Sequence, residues 1–400
     1  MRILESESST PEATSDGRVL KGAIVGIGGY GLVHLGSLKT LIAKGRVELC
    51  AAVHTGAKHE EETARELEGM GCELFLSVDD MFNKWGEALD FCTLPTSIAS
   101  HVPLALRCIE SGIHCLVEKP LTGDLAQLEE LESTMEKHPS VLVTVGFQSL
   151  FLPEVMEIRE KIAAGYIGNL KGVKLFGAWP RSPSYYNRND WAGKVRTQDC
   201  TIYDSPLNNA MAHYLNLGLY WTTKPSGEPA RVTSVEGSLY RAQEIENFDT
   251  ASCRFHLESG LPVSTWVTHS SNRLIDISIV VEGEKGNLEW GREDALSWEI
   301  DGEKIPIKST PFYEAKLLSL RSFIEAINGE HRPQCRNVPQ AASHVRAIQM
   351  LQSQLHVEDV APSSLSGVHR DGEKAIVING VEELLLGGFK ADTLVTLPTV

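Results

Sequence analysis

Four hundred residues exceed what a single core usually holds, and with 42% hydrophobic residues the chain is able to bury about two. A formal charge of −16, with no basic runs or basic-aromatic interleaving, argues against nucleic acid and anionic membrane surfaces as partners, and no apolar run of ~18 residues offers a spanning helix. Eight cysteines (Cys50, Cys72, Cys92, Cys108, Cys115, Cys200, Cys253, Cys335) lie scattered in apolar stretches without a Cys-x-x-Cys pair, which predicts buried free thiols in a reducing cytosol and neither a disulfide frame nor a metal site.

In chain order, the first seventeen residues are polar and acidic and lack the apolar segment of an export signal, so a disordered tail is expected over 1–19 and a cytoplasmic location with it. Next, the apolar run Gly22 to Val25 enters Gly26-Ile27-Gly28-Gly29-Tyr30-Gly31, and a helical pattern follows at once. In a strand–turn–helix setting this G-x-G-x-x-G makes a phosphate cradle: Gly26 turns, Gly28 admits a pyrophosphate, Gly31 packs helix on strand, and the helix N-terminus faces the phosphates. Strands at 47–53, 73–76, 89–94, 113–117 and 141–145 alternate with helices near 31–43, 59–69, 99–111 and 124–137, predicting an α/β, doubly wound parallel sheet over 20–146. Ligands of such sheets sit at the carboxyl ends of strands, here His54-Thr55, Thr93 to Thr96 and Glu118-Lys119-Pro120.

After Phe147 a helix near 153–164 leads into strands at 169–178, 231–240, 249–257, 262–269, 274–283 and 287–290, several alternating with period two, so an α+β second domain with an open, mostly antiparallel sheet is expected over 147–356. A long insertion, 180–227, interrupts it, and loops of that length in compact domains are usually functional. Helices near 313–328 and 337–355 come next, and a C-terminal extension, 357–400, holds short strand-like runs without an evident role.

Three groups of residues have the chemistry of a redox site. A carboxylate commonly follows the second strand to accept from ribose hydroxyls, about 20 residues beyond the last glycine. His54 and Thr55 stand there instead, with Lys58 near, which leans the cofactor from NAD to NADP. Lys119, fixed between Glu118 and Pro120, is placed to steady a developing oxyanion, although a lone lysine after a strand is ordinarily a surface residue. In the insertion, Ser205-Pro206 reads as a helix start, and Asn209, His213 and Asn216 then recur at i, i+4 and i+7 on one face. His213 is either a core histidine held by two amides or a general base. Upstream, Tyr185, Tyr186 and Trp191 offer flat faces and Arg181, Arg188 and Lys194 offer donors, as suits a polyhydroxylated ligand, an exposed loop or a subunit contact.

The glycine motif, Thr93-Leu94-Pro95 with His101, Glu118-Lys119-Pro120, Val145-Gly146-Phe147-Gln148, Ala164 to Gly168 and the helix carrying His213 together resemble the glucose-fructose oxidoreductase / inositol dehydrogenase (Gfo/Idh/MocA) family over roughly 20–355. The resemblance implies NAD(P)-dependent hydride transfer at a carbinol carbon of a sugar or cyclitol, and homodimers or homotetramers formed through the second sheet. By position it implies Lys119, His213 and Asn209 as catalytic residues. It places Gly26, Gly28, Gly31, Thr93, Pro95, Glu118 and Gln148 at the cofactor and Lys119 at both nicotinamide and substrate; from the residues themselves Ile27, Gly29, Tyr30, His54 and Thr55 are also expected at the cofactor, and Tyr186, Trp191, Lys194, Asn209 and His213 at the substrate. The family helix often carries Asp four residues before and three after the histidine, where this chain has Asn209 and Asn216, and the loop from Pro95 to His101 is about two residues longer than usual for the family. Without the first acid the base is expected to be weaker, since an amide orients an imidazole but adds no charge. The alternatives are a non-catalytic cofactor- or sugar-sensing regulator and an enzyme that keeps its NAD(P) and oxidises transiently.

Overall fold

The computed structural model describes residues 18–198, 200–224, 226–291 and 296–400; the expected tail, but for Arg18 and Val19, lies outside the described residues. Strands β1 (Leu20–Val25), β2 (Val47–Val53), β3 (Glu73–Phe75), β4 (Phe91–Leu94), β5 (His114–Val117) and β6 (Val143–Val145) form one sheet in the order β3-β2-β1-β4-β5-β6. Its pairs are all parallel. The chain passes between them through α1 (Gly31–Ala43), α2 (Glu61–Gly69), α3 (Val78–Trp85), α4 (Ile98–Glu110) and α5 (Leu125–Lys137). The doubly wound sheet expected from the alternation is therefore present. Helix α3 had no counterpart in the sequence reading; Ser77 starts it by accepting from Asp80 N–H at 3.4 Å.

The second sheet has nine strands, ordered β14-β13-β12-β11-β7-β10-β9-β8-β15. They are β7 (Leu170–Ala178), β8 (Val232–Arg241), β9 (Thr250–Leu257), β10 (Pro262–Thr268), β11 (Ile275–Gly283), β12 (Gly286–Gly291), β13 (Leu296–Ile300), β14 (Glu303–Pro306) and β15 (Val357–Asp359). Only β7/β10 and β8/β15 run parallel, so the sheet is mixed and mostly antiparallel as expected. Strands β13 and β14 extend it beyond the last strand anticipated.

Alternation along these strands sends side chains to two cores. One face, with Val173, Val263 and Ile279, joins the main core, beside α6 (Pro153–Ala163), α8 (Ala212–Trp221), α9 (Ala315–Ile327) and α10 (Val338–Gln354). A short helix, α7 (Pro183–Tyr186), lies in the insertion. Asn337 before α10 acts as a mock strand on the edge of β6, donating to Val145 O and accepting from Val145 N–H, both at 2.8 Å. Thus the segment after the second sheet returns to the first and fixes the two against each other.

The C-terminal extension packs on the middle of the opposite face. A hairpin, β16 (Leu365–Arg370) and β17 (Glu373–Ile378), leads into α11 (Val381–Ala391), which lays Phe389 against Phe176 and Trp266 at ring distances of 5.8 and 5.9 Å. Trp266 Nε1 donates to Thr393 O at 3.0 Å, so the largest buried ring on this face is satisfied as well as packed. The apolar residues in the middle of this face are thus covered by the same chain. Phe389→Ala should cost about 3–5 kcal/mol through the cavity it leaves. Urea unfolding would register this as a lower midpoint at unchanged slope, with Trp266 emission shifted to the red.

Candidate active site

The glycine turn forms as its residues require. Gly26 and Gly29 have φ of +94° and +52°, and a Cβ on Gly31 would collide with the Gly26 carbonyl. Ile27 is fully buried beneath the turn, while Pro95 closes its other side, its oxygen 3.1 Å from the position of a Gly26 Cβ. Tyr30 donates its hydroxyl to Gln148 Oε1 at 2.8 Å, bridging the turn to the end of β6. Thr93, at the carboxyl end of β4, is fully buried with its hydroxyl unpartnered among the described residues.

The acid missing after β2 arrives from six residues further on. Glu60 ends a single 3-10 turn and folds back so that Oε2 accepts from Thr55 N–H at 2.9 Å and Thr55 Oγ1 at 2.6 Å. Glu60 is only 4% exposed, and its Oε1 stands 2.8 Å from where a Gly28 Cβ would be. A carboxylate therefore does lie beside the glycine turn. Thr55 holds this acid; His54 is half-buried and its backbone N–H donates to Phe75 O. These residues fit a dinucleotide: a turn that excludes side chains, a helix N-terminus, and a buried carboxylate with one oxygen toward the turn.

At the end of β5 the residues before and after the cis Lys119–Pro120 peptide serve different ends. Glu118 is buried, accepts from Lys316 Nζ on α9, and lies 2.8 Å from His34 Nε2 on α1. Burial alone would push the Glu118 carboxyl up, but the Lys316 ammonium and His34 hold it well below the usual range. Burial, aided by Lys316, takes His34 down to about 4, so it is neutral. This cluster anchors the strand end. His101 secures the turn beyond, its two ring nitrogens 2.7 Å from Pro120 O and 3.1 Å from Thr96 O.

Lys119 reaches across to the insertion, donating to Asn209 O at 2.9 Å and Oδ1 at 3.3 Å. Asn209 in turn donates from Nδ2 to Asp204 Oδ1 at 2.8 Å, and Gly193 N–H fills Asp204 Oδ2 at 2.6 Å. Burial raises the Asp204 carboxyl. The site thus has an acid after all, one side chain further from Lys119 than a residue at 209 would be. Burial lowers the Lys119 pKa despite the nearby Glu118 and Asp204.

His213 does lie on a helix, but Asn209 does not. Ser205 Oγ accepts from Asn208 N–H at 3.3 Å, as an N-cap would, yet Met211 N–H donates to Pro206 O, so residues 205–211 make irregular turns and α8 begins at Ala212. His213 Nδ1 lies 3.2 Å from Ser149 Oγ, with Phe147 and Phe312 set edge-on at 5.8 and 5.9 Å. Burial, reinforced by Lys119, holds its imidazole well below the usual range, so it is neutral. Asn216 belongs to packing: Nδ2 donates to Gln340 O at 3.4 Å, joining α8 to α10.

Of the remaining candidates, Tyr186 lines a cleft with Tyr185, Asp204 and His269. Trp191 packs with Ile98, Cys200 and Ile202. Lys194 enters through its backbone, its carbonyl accepting from Asp204 N–H at 2.9 Å. Sequence reasoning gave no role to Glu60, Asp204, Ser149 or Lys316; the only signal for Asp204 was its place in the Asp-Ser-Pro-Leu-Asn-Asn segment.

Residues 20–147 match the model of an oxidoreductase family with an NAD-binding Rossmann fold, and residues 155–289 match the GFO/IDH/MocA C-terminal domain. The scyllo-inositol 2-dehydrogenase (NAD(+)) of Bacillus subtilis is 26% identical over 336 residues, covering 78% of this chain and 87% of that protein. Myo-inositol dehydrogenase Hyg17 of Streptomyces leeuwenhoekii is 26% identical over 285 residues, 70% of this chain and 79% of its own. In fold, the WlbA dehydrogenase of Bordetella pertussis, solved with NADH and UDP-GlcNAcA, superposes with a TM-score of 0.68 at 22% identity, covering 84% of this chain and 98% of that one.

Proposed function

The chain belongs to the Gfo/Idh/MocA family of oxidoreductases, and from that premise we propose that it transfers a hydride at a carbinol carbon of a sugar, cyclitol or related polyol, with NAD as its partner. The observation that carries the reading is the meeting of Lys119, from the end of β5, with the Asn209–Asp204 pair of the insertion, in the electrostatic reach of a neutral His213. The bound nicotinamide supplies the hydride acceptor or donor. Lys119 donates to the reacting oxygen and lowers the cost of its developing charge. Asn209 and Asp204 keep that ammonium aimed. His213, with Ser149 at Nδ1, has Nε2 left to take the hydroxyl proton during oxidation and to return it in the reverse direction.

Glu60 carries the choice of cofactor in this reading: its Oε1 accepts from the ribose hydroxyls, and its charge repels a 2′-phosphate. A panel of sugars and cyclitols, assayed with NAD and NADP by absorbance of the reduced nicotinamide, tests both parts. Turnover of at least one polyol with a higher kcat/KM for NAD is expected. Glu60→Gln should shrink that preference by about 10-fold or more, since a hydrogen bond to a charged group is worth roughly 1.5–3 kcal/mol. A panel with no nicotinamide reduction removes the dehydrogenase reading, and an NADP preference in the parent removes the role of Glu60.

A further inference from the structure

The pocket lined by Tyr185, Tyr186, Asp204 and His269 is too tight in this structure to admit a water, and beside it, over Tyr185, stand two arginines that the hydride-transfer reading leaves unused. On a chain of net charge −16 such a gathering is unexpected. Arg181 and Arg188 both lie over the Tyr185 ring, their guanidinium carbons 4.5 and 3.8 Å from its centroid, and Arg188 also lies 5.0 Å from the Trp191 centroid. Neither arginine is in an ion pair with a carboxylate among the described residues, whereas most arginines elsewhere in the chain are, including Arg107, Arg241, Arg254 and Arg332. Arg188 gives one N–H to the Tyr185 carbonyl. Stacking on one ring holds both guanidinium planes while leaving most of their hydrogen-bonding edges for a ligand.

Three buried polar atoms in the same neighbourhood have no partner among the described residues: Arg181 Nε, Tyr186 Oη and His269 Nε2. His269 is 2% exposed, and its other nitrogen lies 2.7 Å from Trp179 O, so Nδ1–H donates there and Nε2 is a bare acceptor. Buried polar atoms are rarely left unpaired without cause. Arg181 N–H donates to His269 O at 3.0 Å, and the Tyr185 and His269 rings are 5.8 Å apart, so Arg181, Tyr185 and His269 are neighbours. Asp204, which lines the same pocket, is tied through Asn209 to Lys119.

Resting on the dehydrogenase reading, we infer that the substrate of this site is an anionic polyol, whose carboxylate or phosphoryl group is bound by Arg181 and Arg188 while its carbinol carbon lies at Lys119. A planar guanidinium pair matches an oxyanion in charge and in fork geometry, and although Arg188 also feels the Asp204 carboxyl, neither arginine is in an ion pair with it.

The test measures binding apart from turnover. Full-length protein saturated with NADH is titrated at fixed ionic strength with glucose, glucuronate and glucose 6-phosphate, following Kd by calorimetry. At least one anion should bind about 10-fold or more tightly than glucose, and the two anionic arms tell a carboxylate site from a phosphoryl site. Arg188→Gln, at an exposed position, should close most of the gap between that anion and glucose while leaving the Kd for glucose unchanged. Equal or weaker binding of both anions, or an unchanged gap in Arg188→Gln, overturns the inference. Selective anion binding without any nicotinamide reduction in the sugar panel would instead leave this site standing and remove the dehydrogenase reading.

Discussion

Lys119→Ala should lower kcat by about 10²–10³-fold while the cofactor still binds within a few-fold of its original affinity, because the change removes one preorganised donor at the reacting oxygen and leaves the glycine turn untouched. The separation is expected because Glu118, not Lys119, is fixed in the Lys316–His34 cluster that holds the strand end. Steady-state rates together with an NADH fluorescence titration would check it. Turnover at the parent rate would remove Lys119 from the chemistry, and joint loss of turnover and cofactor binding would assign it to the architecture. Part of the loss would come through Asn209, which has its carbonyl and amide oxygens on the ammonium.

His213→Ala should lower the rate of oxidation by about 10²–10⁴-fold, most strongly at neutral and lower pH. The sign follows from the imidazole. Burial holds its pKa well below the usual histidine range, so in the parent enzyme it is unprotonated and able to accept at neutral pH, and the acid limb of the rate profile falls below pH 6.5. In the variant the proton must go to solvent, whose capacity to accept grows with hydroxide, so the deficit narrows as pH rises. A pH profile of kcat/KM for both proteins gives the answer. Parallel profiles would exclude His213 as the base. On the alkaline side, Lys119 has a pKa below its ordinary value, so the parent loses its donor earlier than an exposed lysine would.

The parts of this molecule that were legible in the sequence are those where one residue answers a local demand. Gly26 and Gly31 are dictated by a left-handed backbone and a collision with a carbonyl, and the β/α alternation by burial on both faces of a parallel sheet. Lys119 and His213 were visible because strand ends and helix faces have fixed periods. What could not be read depends on chain reversal. Glu60 reaches the end of β2 only because a 3-10 turn doubles back, and Lys316 meets Glu118 across 198 residues. At Ser205-Pro206 the start signal was chemically sound, and Ser205 does accept from Asn208; the helix fails to continue from it because Met211 N–H bonds back to Pro206, one residue further than helical spacing allows. That short slip turns Asn209 away from a helical stripe and toward Lys119, with Asp204 behind it.

An apolar sheet face generally needs a second body to cover it. In this chain α11 is tethered to that face by the hairpin before it and by Arg254, which donates to both Asp392 O and Oδ1 after it. A tethered cover acts at an effective concentration set by the length of its link, whereas a partner subunit acts at the concentration of the protein in solution. The apolar part of the outer face that lies under α11 therefore stays covered on dilution, with Phe389 on Phe176 and Trp266.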